Sequence, residues 1–172
     1  MFKLDTPICR LRALEPQDVD LLYVWENDVE VWRVSGTIAP LSYERIVRFV
    51  EEQSYDLNTT RQMRLIVEVE GRTVGSVDIF DFEPQHQRFG LGVLIYAQDD
   101  RRCGYARAAI SAVVEYARDV LGLRQVWAMI AADNAPSISL FESLGFVRCA
   151  HRRDWLRRGR EFVDVYDYQL LL

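Results

Sequence analysis

Cysteine and histidine are scarce in this chain of 172 residues, with three Cys (9, 103 and 149) and two His (86 and 151). The cysteines are odd in number, far apart and form no C-x-x-C pair, which excludes a disulfide framework and a zinc site from the expected chemistry. Neither His86 nor His151 has an acid or nucleophile at an informative spacing, so no metal is expected and neither residue is given a role. No apolar run approaches the roughly 18 residues of a membrane span, and "MFKLDTPICRLRAL" lacks the apolar core of a secretory signal. A cytoplasmic protein without a membrane partner is expected. Positive charge is also in short supply. Lys and Arg number 21 against 26 Asp and Glu, a net charge of −5, which disfavours nucleic acid as a partner and leans towards cationic ligands.

Hydrophobic residues at 49% and charged residues at 27% are ordinary for a soluble globular protein. With no repeat, low-complexity tract or linker, residues 1–172 read as a single domain. "ICRLRAL" alternates as a strand, and "EPQDVDLLYVWEN" follows as a helix with Pro16 in its first turn. "VSGTIAPL" is a loop closed by Ser42, an N-cap for "YERIVRFVEEQ". "QMRLIVEVEGRTVGSVDIFDF" reads as two strands joined through Glu70-Gly71-Arg72, and Phe89 to Ala97 as a third, apolar enough for the sheet centre. Ala106, Ala109, Ile110, Val113, Ala117 and Val120 make one helical stripe, with Gly122 suited to the C′ position. "RQVWAMIAA" is a buried strand, "APSISLFESL" a short helix ended by Gly145, and two closing strands flank an Arg157-Arg158-Gly159 turn. The expected fold is a mixed α/β (α+β) sheet flanked by about four helices, with one strand–helix–strand crossover at its centre.

The start of that crossover, "DDRRCGYARAAI" (99–110), carries the chemistry. Gly104 and Ala106 leave little side chain in the way of an approaching group. The N–H groups of a first helical turn have no intrahelical partner, and with the helix dipole they favour an anion. A tight packing turn would use the same small residues. Ligands of α/β sheets bind beyond the carboxyl ends of the strands, and this position favours the anion site.

Arg101-Arg102-Cys103-Gly104-Tyr105-Ala106 resembles the Q/R-x-x-G-x-G/A pyrophosphate signature of the GNAT superfamily of acyl-CoA N-acyltransferases. "DNAPSISLFESLGF" is similar to that family's Asn-containing helix, with Asn134, Ser137, Gly145 and Phe146 at the usual spacing. "CRLRALEPQDVDLLYVWENDVEVW" and "HRRDWLRRGREFVDVYDYQLL" resemble the opening and closing segments of its spermidine and ribosomal-protein N-terminal acetyltransferases. The resemblance implies a mostly antiparallel sheet split between its fourth and fifth strands, near Leu94 and Trp127, with acetyl-CoA as cosubstrate in the split.

It also implies roles. Val93, Leu94 and Ile95 would pair with the pantetheine arm as β-augmentation, and the Leu94 N–H would steady the thioester oxyanion. The diphosphate would lie on Arg101, Arg102, Cys103, Gly104, Tyr105 and Ala106, with Arg107 adding charge. Asp99 and Asp100 fit poorly beside a diphosphate and are expected to point into solvent. Asn134 belongs to the cofactor set. Phe141 stands where many relatives place the Tyr that serves the leaving thiol, so Ser137 becomes the candidate for that task.

Acceptor candidates are Glu30, Asp78 and Asp81. The odd spacing of the last two puts them on opposite faces of a regular strand, so both would face a cleft only across a bulge. Trp25, Trp32 and Tyr43 are weighed as an apolar floor, with Trp25 expected in the core. The acidic balance points to a polyamine or similar small cation; Ser137 and Phe141 point to a protein N-terminus. A CoA-binding module without chemistry and a nucleotide-phosphate domain are the readings from other classes. Homo-oligomerisation is left open.

Overall fold

The structure is a computed structural model and describes residues 4–172. In chain order it contains β1 (Arg10–Ala13), α1 (Val19–Glu26), α2 (Val29–Ser35), α3 (Tyr43–Glu52), α4 (Leu57–Thr60), β2 (Met63–Val69), β3 (Arg72–Glu83), β4 (Arg88–Ile95), α5 (Tyr105–Asp119), β5 (Gln125–Ala131), α6 (Ala135–Ser143), β6 (Val147–Arg158) and β7 (Glu161–Leu171). The strands form one sheet in the order β1-β2-β3-β4-β5-β7-β6. All neighbours are antiparallel except β4 and β5, which are joined by the α5 crossover and run parallel.

Local chemistry explains most boundaries. Ser42 caps α3 by accepting the Arg45 N–H at 3.2 Å. The β2–β3 hairpin turns through Glu70 and Gly71, both at positive φ (50° and 77°), as a tight right-twisting hairpin requires. The opening helix is broken in two. Pro16–Asp18 forms a 3-10 turn ahead of α1, which ends at Glu26 with Asn27 as its C-cap, and Asp28 then caps a separate α2 that lies between the expected helix and the expected loop and takes in the first two residues of that loop. The last turn is Gly159-Arg160, one residue later than expected, because β6 runs through Arg158.

Alternate strand residues feed opposite faces of the sheet. Leu65, Val67, Val77, Ile79, Phe89 and Leu91 pack with Ala109, Ile110, Val113 and Ala117 of α5 and with Phe141 and Phe146. Ile66 points the other way and packs with Leu22, Trp25, Ile46 and Val50 of α1 and α3. The α1–α3 layer is pinned to β1 by Arg12, whose guanidinium donates to both Asp18 carboxylate oxygens at 2.8 Å and to Glu68 at 2.9 Å. Burial raises the Asp18 carboxyl, but the bonds from Arg12 and the Glu15 N–H outweigh it and hold the group below the ordinary carboxylate range.

Breaking a buried pair costs about 3 kcal/mol, and Asp18→Ala is expected to lower unfolding free energy by that order in chemical denaturation. A depressed carboxyl pKa contributes stability that is complete above about pH 4, the unfolded Asp value. The gap between wild type and variant should therefore narrow as pH falls through the folded pKa.

Candidate active site

The parallel neighbours β4 and β5 pair only from Arg88–Gly90 to Gln125–Trp127, at their N-terminal ends. Beyond that stretch they separate, and a wedge opens along the rest of β4. Gly90 sits at its apex. A Cβ there would lie 2.2 Å from the Phe80 ring, and its absence lets Phe80 lie across β4 and meet Trp127 edge-on, centroids 5.2 Å apart.

The direction of the β4 amides follows from ladder alternation. Tyr96 donates its N–H to Val74 at 3.1 Å, so even-numbered β4 residues address β3. Consistently, a Cβ on Gly75 would fall 2.0 Å from the Leu94 carbonyl oxygen. The Ile95 carbonyl faces away from β3 and accepts from Arg101 Nε at 3.1 Å. Continued along β4, this alternation directs the Leu94 N–H to β3 and those of Val93 and Ile95 to the wedge.

At the C-terminal end of β4 the chain makes a 3-10 turn (Gln98–Asp100) and enters α5 through Arg102 (φ 64°) and Gly104 (φ 85°). Left-handed backbone at Gly104 costs glycine little and would strain any other residue. The first amide of this turn to find a main-chain acceptor is Ala108, on the Gly104 carbonyl at 3.0 Å. Among the described residues, the N–H groups of 102–107 have no such partner, which is the arrangement a diphosphate requires. Asp99 is exposed, but Asp100 does not point into solvent. It is buried and receives two bonds of 2.7 Å from Arg72, which hold its carboxyl below the ordinary range. Its charge is thereby balanced beside the loop. Arg101 spends its guanidinium on the Ile95 and Tyr96 carbonyls, Cys103 is exposed, and Arg107 bonds Ser143 of α6.

Across the wedge, Asn134 caps α6 by accepting the Ser137 N–H at 3.2 Å. The Ser137 hydroxyl has no hydrogen-bond partner among the described residues. Phe141 lies 2% exposed in the core, with its ring edge-on to Phe146 at 4.9 Å.

A cavity of about 440 Å³ adjoins the wedge, bounded by Leu94, Met129, Phe80, Asp78, Arg64 and Glu26, with Val31, Val34 and Ser35 of α2 forming one wall. Arg64 donates to Asp78 at 2.6 and 3.2 Å, bonds Glu26 through its other nitrogen, and lies 5.1 Å over the Phe49 ring. Burial alone would lower its guanidinium pKa, but Asp78 and Glu26 hold it above the usual range. Two carboxylates around one guanidinium leave the cavity one negative charge in excess. Gln53, which accepts the Arg64 N–H at 2.8 Å, keeps a buried Nε2 without a partner.

The three acceptor candidates do not converge. Asp78 lines the cavity. A bulge does fall between Phe80 and Glu83, but it turns Asp81 (φ 49°) into a different cavity of about 460 Å³ beside Arg61, Arg88 and Trp127, with the Phe80–Trp127 pair as partition. Glu30 is exposed and paired with Arg33 at 3.3 Å. Trp25 is core, Tyr43 is a surface residue bonded to Asp20, and Trp32 donates to the Glu26 carbonyl; none of them floors the cavity. Sequence reasoning missed Glu26, Arg64 and Gln53. It also missed the contact of His151 with Asp164 (2.6 Å), which forms across the β6–β7 hairpin.

Residues 9–147 match the profile of the acetyltransferase (GNAT) domain family. The chain is 26% identical over 174 residues to the uncharacterized N-acetyltransferase p20 of Bacillus licheniformis, covering 99% of this chain and 97% of that one. It is 23% identical to the spermidine N(1)-acetyltransferase of Escherichia coli K12 over 137 residues, 80% of this chain and 72% of that protein. In fold it is similar to the crystal structure of spermidine N-acetyltransferase from Vibrio cholerae in complex with CoA and spermine, with a TM-score of 0.87 at 20% identity over 96% of each chain. A wedge beside a parallel strand pair, unengaged amides where a diphosphate fits, and a family match across most of the chain lead to one conclusion: this chain belongs to the GNAT acetyltransferase family and is an N-acetyltransferase that uses acetyl-CoA.

Proposed function

We propose that the chain acetylates a primary amine on a small cation, most like a polyamine. The observation that carries this reading is the cavity beside Leu94 and Met129, with one carboxylate charge in excess over Arg64. The spermidine N(1)-acetyltransferases among its relatives support the same acceptor class.

Acetyl-CoA supplies an acyl thioester whose carbon is open to attack by a neutral amine. The amides of 102–107 would hold the diphosphate, and the wedge-facing N–H groups of Val93 and Ile95 would pair with the pantetheine arm. The Val93 N–H would donate to the thioester oxygen as negative charge develops there. An alkylamine has a pKa of about 10.4 and enters protonated. Glu26 and Asp78 attract that cation, and its proton must leave before attack; the cavity carboxylates are the acceptors this chain provides. Ser137, whose hydroxyl is not spent on capping, is the donor for the departing sulfur. Phe141 can offer none.

Acetylation of a protein N-terminus is the second reading, favoured by that free Ser137 hydroxyl. A panel of amines with detection of released thiol separates the two. Spermidine and related alkyl polyamines are expected to release CoA; release with N-terminal peptides alone would favour the second reading, and none with any amine would remove the enzymatic account of this site.

Ser137→Ala is expected to lower kcat about tenfold, the value of one hydrogen bond to a charged group, with the KM for acetyl-CoA within about twofold. Unchanged turnover would take Ser137 out of the mechanism.

A further inference from the structure

The acceptor-side helix α2 is fastened at both ends to the segments that hold the cofactor. At its N-terminus, Asp28 Oδ1 accepts the Glu30 N–H at 2.9 Å as the helix cap. The other oxygen, Asp28 Oδ2, accepts the Tyr96 hydroxyl at 2.8 Å. Tyr96 is the residue after β4. Its ring stacks on Trp25, centroids 5.0 Å apart at 21°, and its carbonyl accepts from Arg101 at 3.1 Å. A continuous path therefore runs from the diphosphate loop to the α2 cap.

At the C-terminus of α2, the Arg33 carbonyl accepts a hydrogen bond from Arg158 near the end of β6. Arg158 also pairs with Asp133 at 3.6 Å, the residue before the Asn134 cap of α6. The two anchors belong to opposite sides of the wedge, one following β4 and the other following β5. Between them, Val31, Val34 and Ser35 face the acceptor cavity.

We propose that Tyr96 and Arg158 are positioning residues that clamp α2 across the mouth of the wedge, so that cofactor occupancy sets the wall against which the acceptor amine binds. Cofactor binding orders the 95–104 loop and the 133–134 turn, and the two ties carry that order into α2. In this short helix only Val31 is buried and Val34 is 61% exposed, so beyond Val31 and the Trp32 bond to Glu26 its stability depends on its ends. The inference rests on the proposed cofactor site but not on the identity of the acceptor.

Hydrogen exchange on the full chain, with CoA alone as the probe, tests it. In wild type, CoA is expected to slow exchange of the amides of 102–107 and, roughly tenfold, those of 32–36. Tyr96→Phe keeps the ring on Trp25 and removes only the hydroxyl; it should abolish the α2 response and leave that of 102–107 intact. Arg158→Ala should do the same from the other end. Asp28→Asn, which keeps the cap through its Oδ1 and can donate its Nδ2 to the Tyr96 hydroxyl oxygen, should preserve the response, and exchange in β3 should not change in any variant, as it would if the fold were merely loosened. Protection of 102–107 without protection of α2 in wild type overturns the clamp, as does a full α2 response in Tyr96→Phe. No response at 102–107 means that the cofactor site itself is misplaced, and the clamp falls with it.

Discussion

The separation of β4 from β5 after a three-residue parallel pairing is the constraint on which the rest of the site depends. A strand in the middle of a sheet normally spends all its amides on neighbours. Here β4 spends half of them on β3 and, beyond the apex at Gly90, leaves the other half facing a gap. The crossover into α5 begins at the open end of that gap, so the amides of 102–107 collect where the freed strand edge ends. A linear molecule with an anionic middle and a thioester end can occupy both at once, held by main chain throughout. Side chains then matter for what they keep away or put in place. Arg72 balances Asp100, Arg101 secures the exit of β4, and Gly90 makes room for Phe80.

On the acceptor side, electrostatics follow from one cation. Arg64 lies between Asp78 and Glu26 and over Phe49, which converts a pair of half-buried carboxylates into a cluster carrying a single excess charge. The cavity can thus attract a cationic amine without a large uncompensated charge in its wall. The relation of this wall to the cofactor is set by α2, which reaches from one lip of the wedge to the other.

Much of the fold was legible because its signals are local. Ser42 and the Glu70-Gly71 turn each act within a few residues, and each is found in the expected role. The contacts that tune the site are not local: Arg72 meets Asp100 across 28 residues and Tyr96 meets Asp28 across 68. The Arg64–Asp78 pair shows how a small irregularity hides a large feature. Counting across the hairpin from Val69 and Arg72 puts Arg64 opposite Val77, but a bulge at Val67/Glu68 shifts the register and delivers Asp78 instead. Which β4 amides face the wedge was equally out of reach, since alternation is visible in sequence but its phase is set by hydrogen bonds to β3.

Amide-resolved NMR hydrogen exchange along β4, with and without CoA, tests the central claim most directly. Before ligand is added, Leu94 should already be protected by β3 while Val93 and Ile95 exchange quickly; with CoA, Val93 and Ile95 should slow and Leu94 should hardly change. Val93 and Ile95 already protected in the free protein, or unaffected by saturating CoA, would show that β4 has no open edge, and the account of the site would be wrong.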